Sequence, residues 1–353
     1  MMFFPLHVFR EIAKQTNRRF EQKPPKSEKY RKRWRLGTTV TDWVRFMGII
    51  LLATLCKQQH FEMYWSLDSL CKVNPYERSG ISYHKFRLMK RYMHCMDIND
   101  PVVKPKRGED NHDPLAQIRY VYESVRHQFH VYVKPGQDLA IDELMVACKL
   151  RTHLQQCIKG KPTPNGIKIF ALAGKGGLVH DFIIDDGMVF ARRPWALNGE
   201  AGILEFVERM NLAPLTRLYF DRWFVSVRII RFLAKVWRIK SVGPIQANRG
   251  HLPVHKVPNN APEHYPPSIR ILGYKKKCRG YYNALVADEA LVVASGWKDS
   301  KQCFFVSAGF PLRGGTVVRN VYPKNLPPEH PGRYKRMETS IQAPPGVQLH
   351  GHG

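Results

Sequence analysis

The hydrophobic period of this chain changes once, at Pro135 and Gly136, and that change limits the folds open to it. Before it, apolar residues recur every three or four positions, as on one face of a helix; after it they gather in short runs of strand length. A helical region followed by a mixed α/β region is the expected order. In the first part, Leu6, Phe9, Ile12 and Ala13 predict a helix within residues 5–19. The segment WVRFMGIILLATL, with Thr41 as its expected N-cap, predicts a second. SYHKFRLMKRYMHCM and the stretch from Ala116 to Tyr132 add two more. Between the first two, EQKPPKSEKYRKRWRLG combines prolines with dense Lys and Arg, which predicts an exposed linker suited to nuclear import or to contact with phosphates.

In the second part, LAIDELMVAC, GIKIFALAG and LVHDFIIDD read as strands, and the GKGG turn from Gly174 to Gly177 joins the last two as a hairpin. Ala201 to Met210 reads as a helix, LTRLYFD as a strand, Val227 to Trp237 as an amphipathic helix and SVGPIQ as a strand. Prolines accumulate from Asn248, and ALVVASGW and QCFFVSAGF then supply two more strands. From Arg319 the Pro- and Gly-rich end reads as irregular. The expected division is a helical domain over 1–135 with a basic linker at 21–38, a core over 136–247, a β-rich insertion over 248–318 and an irregular segment over 319–353.

Charge narrows the partner. With 56 Lys plus Arg against 29 Asp plus Glu, the formal net charge is +27. Such a surplus favours a polyanion, because neutralising phosphates releases condensed counterions. The cysteines Cys56, Cys71, Cys95, Cys148, Cys157, Cys278 and Cys303 are scattered, without a C-x-x-C pair, so neither a disulfide framework nor a zinc finger is indicated. Phe46 to Cys56, the longest apolar stretch, is about half the length that spans a bilayer. No secretory leader pattern opens the chain. An intracellular protein, placed in the nucleus and away from membranes, is expected.

Two acids stand out against this basic background. Asp142 in DLAIDELMVACKL and Asp221 in LTRLYFDRWFVS each lie inside a run that reads as a buried strand, where an unpaired charge is costly. Two-metal phosphodiester chemistry needs two or three such carboxylates around divalent cations, and the ends of strands are where α/β sheets carry ligand sites. Lys161, Lys168, Arg249, Lys275, Lys276, Lys277 and Arg279 are candidate phosphate contacts. His94, Cys95 and Asp97 lie close together, but on a helical signature with Met93 and Met96 they fit a packing role better than a metal cluster.

The order of these blocks resembles the piggyBac family of DDE transposases. Residues 142–172 are similar to that family's block around its first catalytic aspartate, and LYFDRWFVSVRIIRFL followed by GPIQANRGHLP to the block around its second. MGIILLATLCKQQHFEMYWS, KFRLMKRYMHCMD and ASGWKDSKQCFFVSAGF match three further signatures in the same order, so the resemblance covers roughly residues 5–320. It implies an RNase H-like catalytic core with a β-rich insertion, preceded by a helical dimerisation and DNA-binding domain. Asp142 and Asp221 would take the first two metal-binding positions, with Mg²⁺ as cofactor. Double-stranded DNA would be the partner, with excision and insertion at TTAA sites by a possible homodimer.

The family's third aspartate, in an M-G-G-V-D element, has no match here: IQAPPGVQLHGHG stops short of it, and Glu329 and Glu338 are the only acids after Asp299. Asp299 itself falls in the W-K-D motif, which is not catalytic in the family, and the family's cysteine-rich zinc domain has no counterpart. The expectation is therefore a piggyBac-like transposase, or a transposase-derived DNA-binding protein that no longer cuts.

Overall fold

The computed structural model describes residues 3–34, 37–66, 79–103, 109, 112–148, 152–186, 196–247, 277, 279–287, 292–310, 315–321 and 337–343. It divides into two units, Met1–Val133 and Lys134–Gly353.

The first unit is helical, with α1 (Leu6–Gln22), α2 (Glu28–Trp34), α3 (Val40–Leu55), a 3₁₀ turn (Phe61–Trp65), α4 (Tyr83–Tyr92) and α5 (Arg119–Tyr132). Its core is aromatic: Phe9, Ile12, Trp43, Phe46, Phe86 and Met89 pack together, and Phe46 stacks on Phe86 at 4.6 Å. The expected linker is partly helix. Tyr30 and Trp34 fall four apart on α2, so one face of this basic segment is aromatic. Trp34 is buried, stacks on Phe20 at 4.8 Å and lies 6.0 Å from Tyr92.

Helix α3 begins at Thr39 rather than the expected Thr41, because Asp42 completes a reciprocal cap. The Asp42 N–H donates to Thr39 Oγ1 at 3.2 Å, and the Asp42 carboxylate accepts from the Thr39 N–H at 2.9 Å. Lys85 of α4 reaches the same carboxylate at 2.8 Å. Asp97 likewise ties α1 down, accepting from Arg18 at 2.6 Å and Gln22 at 3.2 Å, while Cys95 packs against the core.

The second unit is built on one large mixed sheet. Its strands are β1 (Asp138–Ala147), β2 (Gln155–Cys157), β3 (Asn165–Gly174), β4 (Val179–Ile184), β5 (Arg217–Phe220), β6 (Lys240–Ile245), β7 (Tyr282–Ala287), β8 (Val292–Lys298) and β9 (Gln302–Ala308). Their order is β2-β3-β1-β5-β6-β9-β8-β7, with β4 also on β3. β1 pairs antiparallel with β3 and parallel with β5, and β5 pairs parallel with β6. The crossovers into β5 and β6 contain α6 (Asn198–Arg209) and α7 (Val227–Val236). The GKGG hairpin forms as expected, with Gly176 and Gly177 at φ of 88° and 79°, the left-handed region that glycine enters without a steric penalty.

Alternation explains which way β1 and β5 face. Leu139 and Ile141 of β1, with Leu218 and Phe220 of β5, join Ile203, Phe206 and Val207 of α6 and Ile229, Ile230 and Leu233 of α7 in one apolar cluster. The intervening residues point to the other side of the sheet. β7, β8 and β9 extend this sheet through β6 and β9, which pair antiparallel. The segment beyond Arg319, expected to be irregular, instead contributes to a second sheet: β10 (Gly315–Val321) pairs antiparallel with β11 (Met337–Ala343). Their valines, threonines and isoleucine suit strands despite the flanking prolines.

The α3 cap gives a first test. Thr39→Ala should lower stability by about 1 kcal/mol. Burial raises the Asp42 carboxyl, but hydrogen bonds from Lys85 and Thr39 outweigh it and hold the group below its ordinary value of 3.8. Its contribution is thus present above 3.8 and lost as pH falls through the folded-state value. Asp42→Asn should be less stable than the parent at neutral pH, and denaturant titrations should show the gap closing on acidification.

Candidate active site

The apolar pairing of β1 with β5 carries two carboxylates to one place. Leu139 registers with Leu218 and Ile141 with Phe220, and Asp142 and Asp221 each follow their strand's last registered residue. Neighbouring strands lie about 4.8 Å apart, so the two backbones are adjacent where the aspartates leave them. Both line one cleft of about 360 Å³ with Ala140, Ile141, Tyr219, Phe220, Pro244 and Phe305. Asp142 Oδ1 accepts its neighbour's Glu143 N–H at 2.7 Å, and the Asp221 carbonyl accepts from the Phe224 N–H at 3.1 Å in a turn.

The expectation that these acids are buried is wrong. Asp142 and Asp221 are both exposed, because alternation turns them away from the face that holds Ile141 and Phe220. Among the described residues neither has an ion-pair partner, although the chain carries 56 Lys and Arg. Among the described residues of the second unit the buried acids are others: Asp181 and Glu200 at 1% exposure and Asp185 at 8%. Each of those has a cation: Arg209 at 3.5 Å from Asp181, Lys168 at 3.2 Å from Asp185, and Arg228 on Glu200.

The neighbourhood of the cleft is built locally. Gly243 of β6 passes so close to the end of β5 that an added Cβ would lie 2.8 Å from the Phe220 carbonyl oxygen and 2.4 Å from Val225. Asp138 of β1 receives Arg217 and the Tyr219 hydroxyl at 3.3 Å. Burial, reinforced by the Asp138 charge, pushes the Tyr219 phenol well above its usual range. Pro244 and Phe305 were not anticipated as lining residues. Pro244 lies in the GPIQ element and Phe305 in a strand-like run, but only the β6–β9 pairing, which sets them opposite each other, brings them to the cleft.

Two exposed carboxylates suit a hard cation such as Mg²⁺, which keeps several waters and binds through one or two carboxylates plus substrate phosphates. Among the described residues no group of three or more His, Cys, Asp and Glu converges as a metal site.

The candidate phosphate contacts divide. Lys161 is half-buried and pairs with Glu143 at 3.1 Å. Lys168 is turned inward, with its ammonium 4.8 Å from the Phe170 ring centre and 4.7 Å from that of Trp223, as well as paired with Asp185. It is committed to these internal partners, which neighbouring charge in the sequence did not reveal. Lys277 is exposed and lies 4.7 Å from the Tyr281 ring centre, and Arg279 pairs with Asp299, the acid of the W-K-D motif, at 2.6 Å. Arg249, Lys275 and Lys276 lie outside the described residues.

A mixed sheet with two exposed aspartates, without ion-pair partners among the described residues, just past the end of a parallel ladder is an arrangement suited to metal-assisted phosphoryl chemistry. The family model described as Transposase IS4 matches residues 1–308, and the chain belongs to this family of transposases. It also shares a piggyBac-like fold. The cryo-EM structure of a piggyBac transposase synaptic complex with hairpin DNA matches with a TM-score of 0.65 at 19% sequence identity, over 88% of this chain and 60% of that one. The chain thus spans less than two thirds of the length of that transposase.

The inward lysine gives a second test. Lys168→Ala removes the ammonium that lies 3.2 Å from the buried Asp185 carboxylate, which Gln156 also reaches at 3.0 Å, and should cost about 3 kcal/mol in denaturant unfolding. A change within about 0.5 kcal/mol would mean that the pair is solvated.

Proposed function

We propose that this protein acts on double-stranded DNA as a piggyBac-like transposase, with Asp142 and Asp221 as ligands for divalent cations, Mg²⁺ by resemblance. The register that sets two unpaired aspartates side by side in one cleft carries the reading. The strand order supports an RNase H-like core: β4, β3 and β1 run antiparallel, β1, β5 and β6 run parallel, and α6 and α7 fill the crossovers. Cations bound there would polarise the scissile phosphate and its attacking oxygen. The protein's own part is to hold the carboxylates just past the β1–β5 ladder, outside the apolar core, where a DNA backbone can approach them. Sites of TTAA sequence, a homodimer and a nuclear location complete the proposal.

The DNA partner has support in the first unit as well. A cleft of about 500 Å³ there is lined by His84, Arg87, Lys90 and Arg91 with Tyr30, Phe61 and Tyr83, and among the described residues no acid lines it. Arg87 and Lys90 lie 5.6 and 5.8 Å from the ring centres of Tyr83 and Phe61, so their charges sit on aromatic faces and stay available to phosphates. Glu62, which bonds the Tyr83 hydroxyl at 3.3 Å, is the acid next to this surface.

Purified protein incubated with a plasmid carrying piggyBac-type ends should nick it only with Mg²⁺ or Mn²⁺, and Asp142→Asn and Asp221→Asn should abolish nicking while leaving the thermal midpoint unchanged. Binding without nicking in every sample would favour a transposase-derived protein that holds DNA without cutting it. Affinity should also fall steeply with salt. Replacing Arg87, Lys90 and Arg91 together by Ala should reduce the slope of log K against log salt by up to about 3. An unchanged slope would remove this cleft from the DNA surface.

A further inference from the structure

Glu200 is buried to 1% exposure inside a strongly basic protein, and motif reading gave it no role. Its position at the third residue of α6 lets its carboxylate accept the Leu197 N–H at 2.9 Å as a helix cap. The same carboxylate also accepts from the Ser226 hydroxyl and from Arg228. Ser226 is the N-cap of α7, and its Oγ accepts the Ile229 N–H at 3.1 Å. One buried charge therefore joins the start of α6 to the start of α7. Residues 221–225, which connect β5 to α7, begin with Asp221.

Two further contacts close on this segment. Gly199, the residue before Glu200, lies so near it that an added Cβ would be 2.8 Å from the Trp223 carbonyl oxygen and 2.9 Å from the Phe224 Cα. On its other flank, Trp223 stacks on Phe170 of β3 at 5.4 Å and 9°.

We infer that Glu200 is the positioning residue for Asp221, fixing the turn that carries this aspartate from beneath the sheet. The role rests on the metal-ligand reading of Asp221, but the constraint on the turn does not. Glutamine at position 200 keeps the shape and loses the charge, so the Arg228 guanidinium no longer has a carboxylate to receive it.

Hydrogen exchange of the full chain, followed by mass spectrometry, tests this directly. In Glu200→Gln, amides of 221–229 should exchange roughly tenfold faster, while those of β8 and β9 keep their parental rates. Mn²⁺ titration followed by electron paramagnetic resonance should show weaker binding in the same variant, with Glu200→Asp partly restoring both properties. If Glu200→Gln does not fold, Ser226→Ala, which keeps the carboxylate–guanidinium pair, should show the same local change. Parental exchange at 221–229 would overturn the inference, as would acceleration spread evenly over the sheet. Faster local exchange in a protein whose parent binds no Mn²⁺ would uphold the constraint and reject the metal reading instead.

Discussion

The parallel pairing of β1 with β5 is the constraint on which the rest depends. Leu139, Ile141, Leu218 and Phe220 are each at most 1% exposed, and burying side chains of this size stabilises by about 1.5–3 kcal/mol apiece. A slip of one residue would turn that whole set toward solvent, so the apolar face pins the register. The position of Asp142 beside Asp221 is thus a by-product of core packing. No attraction between the two carboxylates is needed, and at close range their like charges repel. Packing free energy holds together two groups that would otherwise separate, which is what a cation site requires before its ion arrives.

The treatment of acidic residues in a chain of net charge +27 is selective. Asp181, Asp185 and Glu200 are buried, and each is matched to an arginine or lysine. Asp142 and Asp221 are exposed and unmatched among the described residues. Buried carboxylates without partners would be strongly destabilising, so the first group fits a structural role. Leaving the second group open while basic side chains abound keeps its charge for something outside the chain. Arg87 and Lys90 of the helical unit are arranged in the opposite sense, resting on the Tyr83 and Phe61 rings.

Much of this was legible in the residues themselves. The division into units falls between Val133 and Lys134, close to the change of period at Pro135. Alternation and turn chemistry located the strands on either side of the GKGG hairpin. What failed did so where long-range packing decides. Helix α2 exists because Trp34 finds Phe20 and Tyr92, residues distant in sequence, and the charge of the segment concealed this. β11 forms by pairing with β10 across a stretch rich in proline. Asp142 and Asp221 were singled out as acids within apolar runs of a basic chain, and the order of motifs paired them. Their exposure was misjudged because the apolar neighbours occupy the opposite face of each strand. Glu200 could have been noticed as an acid at the third position of a helix, but its bonds to Ser226 and Arg228 exist only in three dimensions.

The account stands or falls on whether the Asp142 and Asp221 carboxylates share an ion. Crystals soaked in Mn²⁺ and measured at the manganese absorption edge would locate it. The account requires an anomalous peak within coordination distance, about 2.2 Å, of oxygens from both Asp142 and Asp221. Ordered carboxylates with no such peak, or a manganese ion bound elsewhere in the second unit while this pair stays bare, would contradict it.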